Sequence, residues 1–195
     1  MRILEYLDAV AVLDDGSADV SAVAARLVAA GCAPVTVDLA APGGWRAQLD
    51  PLLARPRRAR ATGVLVLSPS QGADRDLWVP QDRLVEQLEC RDWDVAFLGH
   101  VAGAGCVPAD ERPGLVEWDG VPSGVSAIAL RWRTFECAVE LIPETAIDGP
   151  LSAVEWLTIV SWVAHSLSRA SRPLFAWPPV LRAPPPIRGA AAPAP

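Results

Sequence analysis

Cys106 closes the stretch GHVAGAGC, His100 is its second residue, and a second histidine, His165, lies further along. A thiol beside an imidazole can become a nucleophile and its base: the ring takes the thiol proton and the thiolate attacks an acyl carbon. The chain has 2 histidines, so a dyad built on Cys106 has to use His100 or His165. Serine offers another route, through Ser68 or Ser70 in VLVLSPSQG. Carboxylates come in close pairs at Asp74 and Asp76 and at Asp92 and Asp94. Such pairs can shuttle protons or hold a cation, but at this spacing they more often cap helices and solvate turns.

Composition removes several chemistries. All 17 basic residues are arginine, and the chain contains neither lysine nor asparagine. A Schiff-base lysine, a P-loop lysine and an asparagine ligand are therefore excluded. The 4 cysteines, Cys32, Cys90, Cys106 and Cys137, form no CxxC pair and no close Cys/His group, so neither a zinc site nor another cofactor is expected. A net charge of −6 argues against a nucleic-acid surface. The one basic cluster, RPRRAR from Arg55 to Arg60, reads as a solvated loop. No apolar run reaches the ~20 residues that span a bilayer, so no membrane association is expected. The opening MRILEYLDAV is short and carries Glu5 and Asp8, unlike a secretory leader. The expected location is cytoplasmic, with reduced thiols.

The elements that position these residues follow an alternating rhythm. DAVAVLDD, TGVLVLS and DVAFLGH are candidate strands rich in apolar residues, and APVTVDLA is a short β-rich run. Between them, SADVSAVAARLVAAGC repeats apolar residues at helical spacing, with Ser17 or Asp19 able to cap it and Gly31 able to stop it. GGWRAQLDPLLARP is a poorer helix and PQDRLVEQLECR a third. Continuous apolar strands alternating with amphipathic helices predict an α/β fold: three layers, a mostly parallel sheet, helices on both faces. After Cys106 the pattern changes. VPADERPGLVEWDGVPSG reads as a long loop, VSAIALRWRTFECAVELI as one or two strands, and PLSAVEWLTIVSWVAHSLSRA as the strongest helix, with Pro150 in its first turn. That helix is apolar nearly all round, which suits a core position or a covered interface. The domain is expected to span 1–172. From Pro173 the chain holds eight of its 19 prolines and reads as a tail in 173–195, unable to form a helix or a central strand, with Leu174, Phe175 and Trp177 docked onto the domain.

Two strand ends carry motif-like features. Asp14 and Asp15 sit where receiver domains keep an acidic corner, but that chemistry needs a lysine this chain lacks; a turn and capping role is expected instead. GHVAG, Gly99 to Gly103, has the spacing of the nucleophile elbow of α/β-hydrolases with Val101 in the serine position. Valine leaves nothing to activate.

From about Asp14 to Cys106 the order of elements resembles the caspase-like peptidases, the bacterial ones in particular. GVLVLSPSQG falls where that family carries its histidine motif, with Ser70 or Gln71 at the histidine. VAFLGHVAGAG falls where it carries the cysteine motif, with Gly99 replacing the aspartate and Val101 the nucleophile. The resemblance implies a caspase-like or flavodoxin-like sheet and a degenerate pocket of Ser70, Gln71, Gly99, His100 and Val101. It also implies a pseudo-protease that works by binding.

Eight tryptophans accompany one tyrosine and three phenylalanines. Tryptophan is enriched at interfaces, and Trp156 and Trp162 lie almost opposite one another around the last helix, so one core can scarcely bury both. The expected function is therefore a non-catalytic interaction or regulatory subunit, binding another protein or itself through Trp156, Trp162 and Trp177. A hydrolase with a relocated Cys106 or serine nucleophile is the enzymatic alternative. A small-molecule binding module using the strand C-terminal ends is the third reading.

Overall fold

The computed structural model describes residues 3–16, 20–54, 62–68, 82–101, 114–117, 121–146, 149–167 and 173–177. A short helix α1 (Ile3–Tyr6) leads into β1 (Ala9–Asp14), whose first five residues are all buried. Then come α2 (Val20–Ala29), β2 (Val35–Asp38), a 3-10 turn at Arg46–Leu49 continuing into α3 (Asp50–Leu53), β3 (Gly63–Leu67), α4 (Asp82–Glu89) and β4 (Val95–Val101). The chain goes on through β5 (Gly114–Glu117), β6 (Ser123–Arg131), α5 (Trp132–Leu141), α6 (Ala153–Leu167) and β7 (Leu174–Trp177).

These strands form one 7-stranded sheet in the order β2-β1-β3-β6-β4-β7-β5. β2, β1 and β3 pair in parallel, and so do β4 and β7. β6 runs antiparallel between β3 and β4, and β5 antiparallel along β7. The expected α/β fold with a mostly parallel sheet forms, with two reversed strands added.

Because strand side chains alternate between faces, the sheet divides its apolar residues into two clusters. Ala11, Val66, Phe97, Ile128 and Phe175 point to one face and pack with α5 and α6. Val12, Leu65, Leu98, Ala129 and Leu174 point to the other, against α1, α2 and α4.

Local signals account for several boundaries. α2 ends in a Schellman motif: Cys32 N–H donates to Leu27 O at 2.9 Å and Gly31 N–H to Val28 O at 2.9 Å, with Gly31 at φ +85. α6 begins later than Pro150 suggests, at Ala153, because Ser152 and Glu155 close a capping box. Glu155 Oε2 accepts from Ser152 N–H at 2.9 Å, and Ser152 Oγ accepts from Glu155 N–H at 3.2 Å. Ser17 and Asp19, the expected caps of α2, lie outside the described residues.

Three sequence expectations are corrected. The run VSAIALRWRTFECAVELI is a strand followed by a helix, since Trp132, Phe135, Ala138 and Val139 recur at helical spacing and bury one side of α5. The supposed loop after Cys106 contains β5, held by α4: Gln87 Oε1 accepts from Leu115 N–H at 2.6 Å, and Arg91 donates to Leu115 O at 3.3 Å. The tail boundary at 173 is wrong. Pro173 and Pro178 bracket four residues that all carry backbone N–H groups, and these form β7, a strand inside the sheet between β4 and β5. The domain therefore extends through Trp177; residues 178–195 lie outside the described residues.

Candidate functional site

The expected nucleophile elbow is a strand end. Val101 is the last residue of β4 and pairs with Ser123 of β6, with register shifts on either side of Gly99. Gly124, at φ +57, lies against it: a Cβ there would sit 2.7 Å from Val101 Cγ2. Ser70, Gln71 and Cys106 fall outside the described residues. A dyad spanning the ends of β3 and β4 requires those ends to be neighbours, and β6 separates them. The axes of β3 and β4 are thus two strand spacings, about 10 Å, apart.

His100 is not presented to solvent. It is 2% exposed, its Nε2 lies 3.2 Å from Ala176 O, and its ring meets Phe175 edge-on at 5.6 Å. Donation to that carbonyl fixes the proton on Nε2 and leaves Nδ1, itself buried, as the acceptor. Burial holds the imidazole below its ordinary pKa, against weaker support from the Ala176 and Val101 backbones. This histidine ties β7 to β4. His165 lies on α6, half-buried beside Trp162, with ring centroids 6.4 Å apart. Ser68 is also buried, and its backbone N–H donates to Ser126 O at 2.9 Å.

Asp14, Asp15 and Asp94 do structural work. Asp14 Oδ1 accepts from Gly16 N–H at 2.9 Å, closing the turn after β1. Asp15 Oδ2 accepts from Ala153 N–H at 2.9 Å, pinning the start of α6 to the C-terminal end of β1. Asp94 Oδ1 accepts from the Thr134 hydroxyl at 3.5 Å, at the start of α5. Asp74 and Asp76 lie outside the described residues. Among the described residues no group of three or more Cys, His, Asp or Glu could hold a metal ion, and no helix is long and apolar enough to cross a membrane.

The tryptophans resolve differently from expectation. Trp156 is 1% exposed and meets Trp45 edge-on at 5.5 Å, so it belongs to the core and not to a surface. Trp162, across the helix, is 56% exposed. Trp177 closes β7 opposite Gly114, and only its backbone is described.

Trp162 continues a surface feature that the sequence reading missed. Val154, Thr158 and Trp162 follow at four-residue spacing along the exposed side of α6. Beside the first two lies a groove of about 760 Å³, walled by Pro143, Ala146, Pro150, Leu151 and Ile159. A second hollow of about 470 Å³ shares Thr145, Gly149 and Pro150 with it and reaches the loop after β2. The walls are fastened from below. Arg46 donates from Nε to Val139 O at 2.8 Å and from Nη2 to Ile142 O, capping α5. Its Nη1 pairs with Glu144 at 3.2 Å, and the neighbouring Trp45 Nε1 donates to Pro143 O at 3.4 Å. Gly44 (φ +81) admits this arrangement, since a Cβ would stand 2.9 Å from Glu144 Oε2. The clue in the sequence was the proline- and glycine-bearing connector IPETAIDGPLS, legible only once α5 is known to be a helix.

No protein-family profile, curated protein or solved structure matches the chain.

Proposed function

We propose that the protein is a non-catalytic interaction subunit that binds an extended, apolar protein segment along α6. Trp162 carries this reading: a large aromatic ring left 56% exposed on α6, four residues beyond Thr158, which lines a groove with apolar walls and a fixed floor. Rigid aromatic anchors beside apolar hollows are the usual energetic centres of protein interfaces. The groove is also at the C-terminal edge of β1 and β2, where open α/β sheets present their binding surfaces.

The proposal keeps the pseudo-protease character that the caspase-like resemblance implies. It rests on the groove, because the intervening β6 departs from the adjacent strand ends that a caspase-type dyad needs. Selection of a random-peptide phage library on the immobilised protein tests it. Peptides that bind the parent chain and lose at least about ten-fold on Trp162→Ala, but not on Cys106→Ala, are expected. Labelling by a thiol-directed acylating probe that Cys106→Ala abolishes would establish the hydrolase instead.

A further inference from the structure

We infer that α6 is also the surface through which two copies of this chain pair. In the unliganded protein a second copy covers it, the two α6 helices crossing antiparallel about a two-fold axis at Thr158. This goes beyond the segment binding proposed above: it names what covers the helix when no other segment is bound.

The outer side of α6 is composed for burial. On the other face of the sheet, α4 exposes Asp82, Arg83, Glu86 and Glu89, as a solvated helix does. The exposed residues of α6 are Val154, Glu155, Thr158, Trp162 and Ser166, with a single charge among them. Loss of charge around a retained aromatic ring marks the centre of a protein interface. The polar groups on this side already have partners within the chain. Thr158 hydroxyl donates to Val154 O at 2.7 Å and Ser166 hydroxyl to Trp162 O at 2.8 Å. Glu155 Oε2 accepts from the Ser152 hydroxyl at 2.7 Å. Covering the helix therefore strands no hydroxyl.

The layout is self-complementary. Val154 and Trp162 stand four residues to either side of Thr158, the first on the groove wall and the second an exposed ring. A two-fold axis at Thr158 sets Trp162 of each copy opposite Val154 of the other. Both rings are then seated at once, the isologous arrangement of closed dimers. Helical side chains lean toward the N-terminus of their own helix, which in an antiparallel pair aims each ring back at Thr158 and the groove beside it. At about 760 Å³, the groove lies within the roughly 300–1,000 Å³ of sites that enclose small ligands and has room for an indole. Charge does not oppose the pairing, although each copy carries a net −6. The two Glu155 residues stand about 9 Å apart along the helices at 1.5 Å per residue, beyond the screening length of about 8 Å at physiological salt.

Sedimentation equilibrium of the full chain tests the dimer. At tens of micromolar the parent should approach twice the mass of the chain. Trp162→Ala and, separately, Val154→Asp should each raise the dissociation constant about ten-fold or more, with the melting temperature of the dilute monomer unchanged. Oxidation with copper–phenanthroline reads the register. Thr158→Cys, on the axis, should form a disulfide-linked dimer beyond what the parent's own thiols give. Ser166→Cys, on the same exposed side but eight residues from the axis, should not. A monomer at every concentration, a dimer indifferent to Trp162→Ala, or cross-linking by Ser166→Cys in place of Thr158→Cys overturns the inference. So does a Trp162-dependent peptide from the library that binds without dissociating the dimer. If the chain stays monomeric while such peptides are still selected, only the second copy is wrong and segment binding stands. If it dimerises in this register and no peptide is selected, segment binding fails and the dimer stands.

Discussion

His100 illustrates how a residue chosen for chemistry takes a structural role. The sequence places an imidazole next to a vacant nucleophile position, and from the sequence alone a base and a buried clamp are indistinguishable. What separates them is the long-range contact with Ala176 and Phe175, residues that the proline-rich composition hid. The burial has a measurable consequence. The unfolded chain takes up its histidine proton near pH 6.5, whereas the folded chain resists protonation to a lower pH. Between those two values the unfolded state binds the extra proton, so stability is full above about pH 6.5 and falls as the pH drops below it. Melting temperatures measured across that range should fall more steeply for the parent than for His100→Gln. Parallel slopes would show that His100 does not titrate differently in the two states.

Helix α6 shows how far an element can be read before its surroundings are known. Its helical character and its nearly all-round apolarity are evident from AVEWLTIVSWVAHSL, and the placing of Trp156 and Trp162 on different sides, about 120° apart around the axis, follows from their six-residue separation. Which of the two faces the sheet does not follow, because either side of the helix could pack. The consequences differ greatly. Trp156→Ala empties a site packed against Trp45 and should cost about 3–5 kcal/mol, whereas Trp162→Ala removes an exposed ring and should stay within about 0.5 kcal/mol. Urea titrations of the two variants read this directly, and equal losses would mean that the helix is rotated. The misread elements have local causes. α5 opens on Arg131 without a side-chain cap, so nothing marks the boundary between strand and helix. β7 is only four residues long and hemmed by prolines, which erases the alternation that would identify it. The parallel core of β1, β2 and β3 was legible because β1 and β3 are continuous apolar runs and β2 a short β-rich one, each beside a helix. The insertion of β6 between β3 and β4 was not, since strand order is set by contacts between distant residues.

At the scale of the whole molecule, the two apolar clusters share every central strand, so neither face can come apart without exposing the other. Leu88→Ala, a change confined to the α4 face, should cost about 2–5 kcal/mol and lower the unfolding midpoint of both faces together. With 5-fluorotryptophan incorporated, the resonances of Trp93 on that face and of Trp45 and Trp156 on the other should be lost at one urea concentration. Separate midpoints would reveal two independent units. The strand order also bears on how the chain is made. β5 bonds within the sheet only to β7, which follows it by some 57 residues in synthesis. A nascent chain halted between the end of β6 at Arg131 and Leu174 therefore carries two open strand margins, those of β4 and β5, each a template for pairing with another chain. Completion of β7 closes both at once, so quality control during translation would see this protein as unfinished until its final described strand emerges.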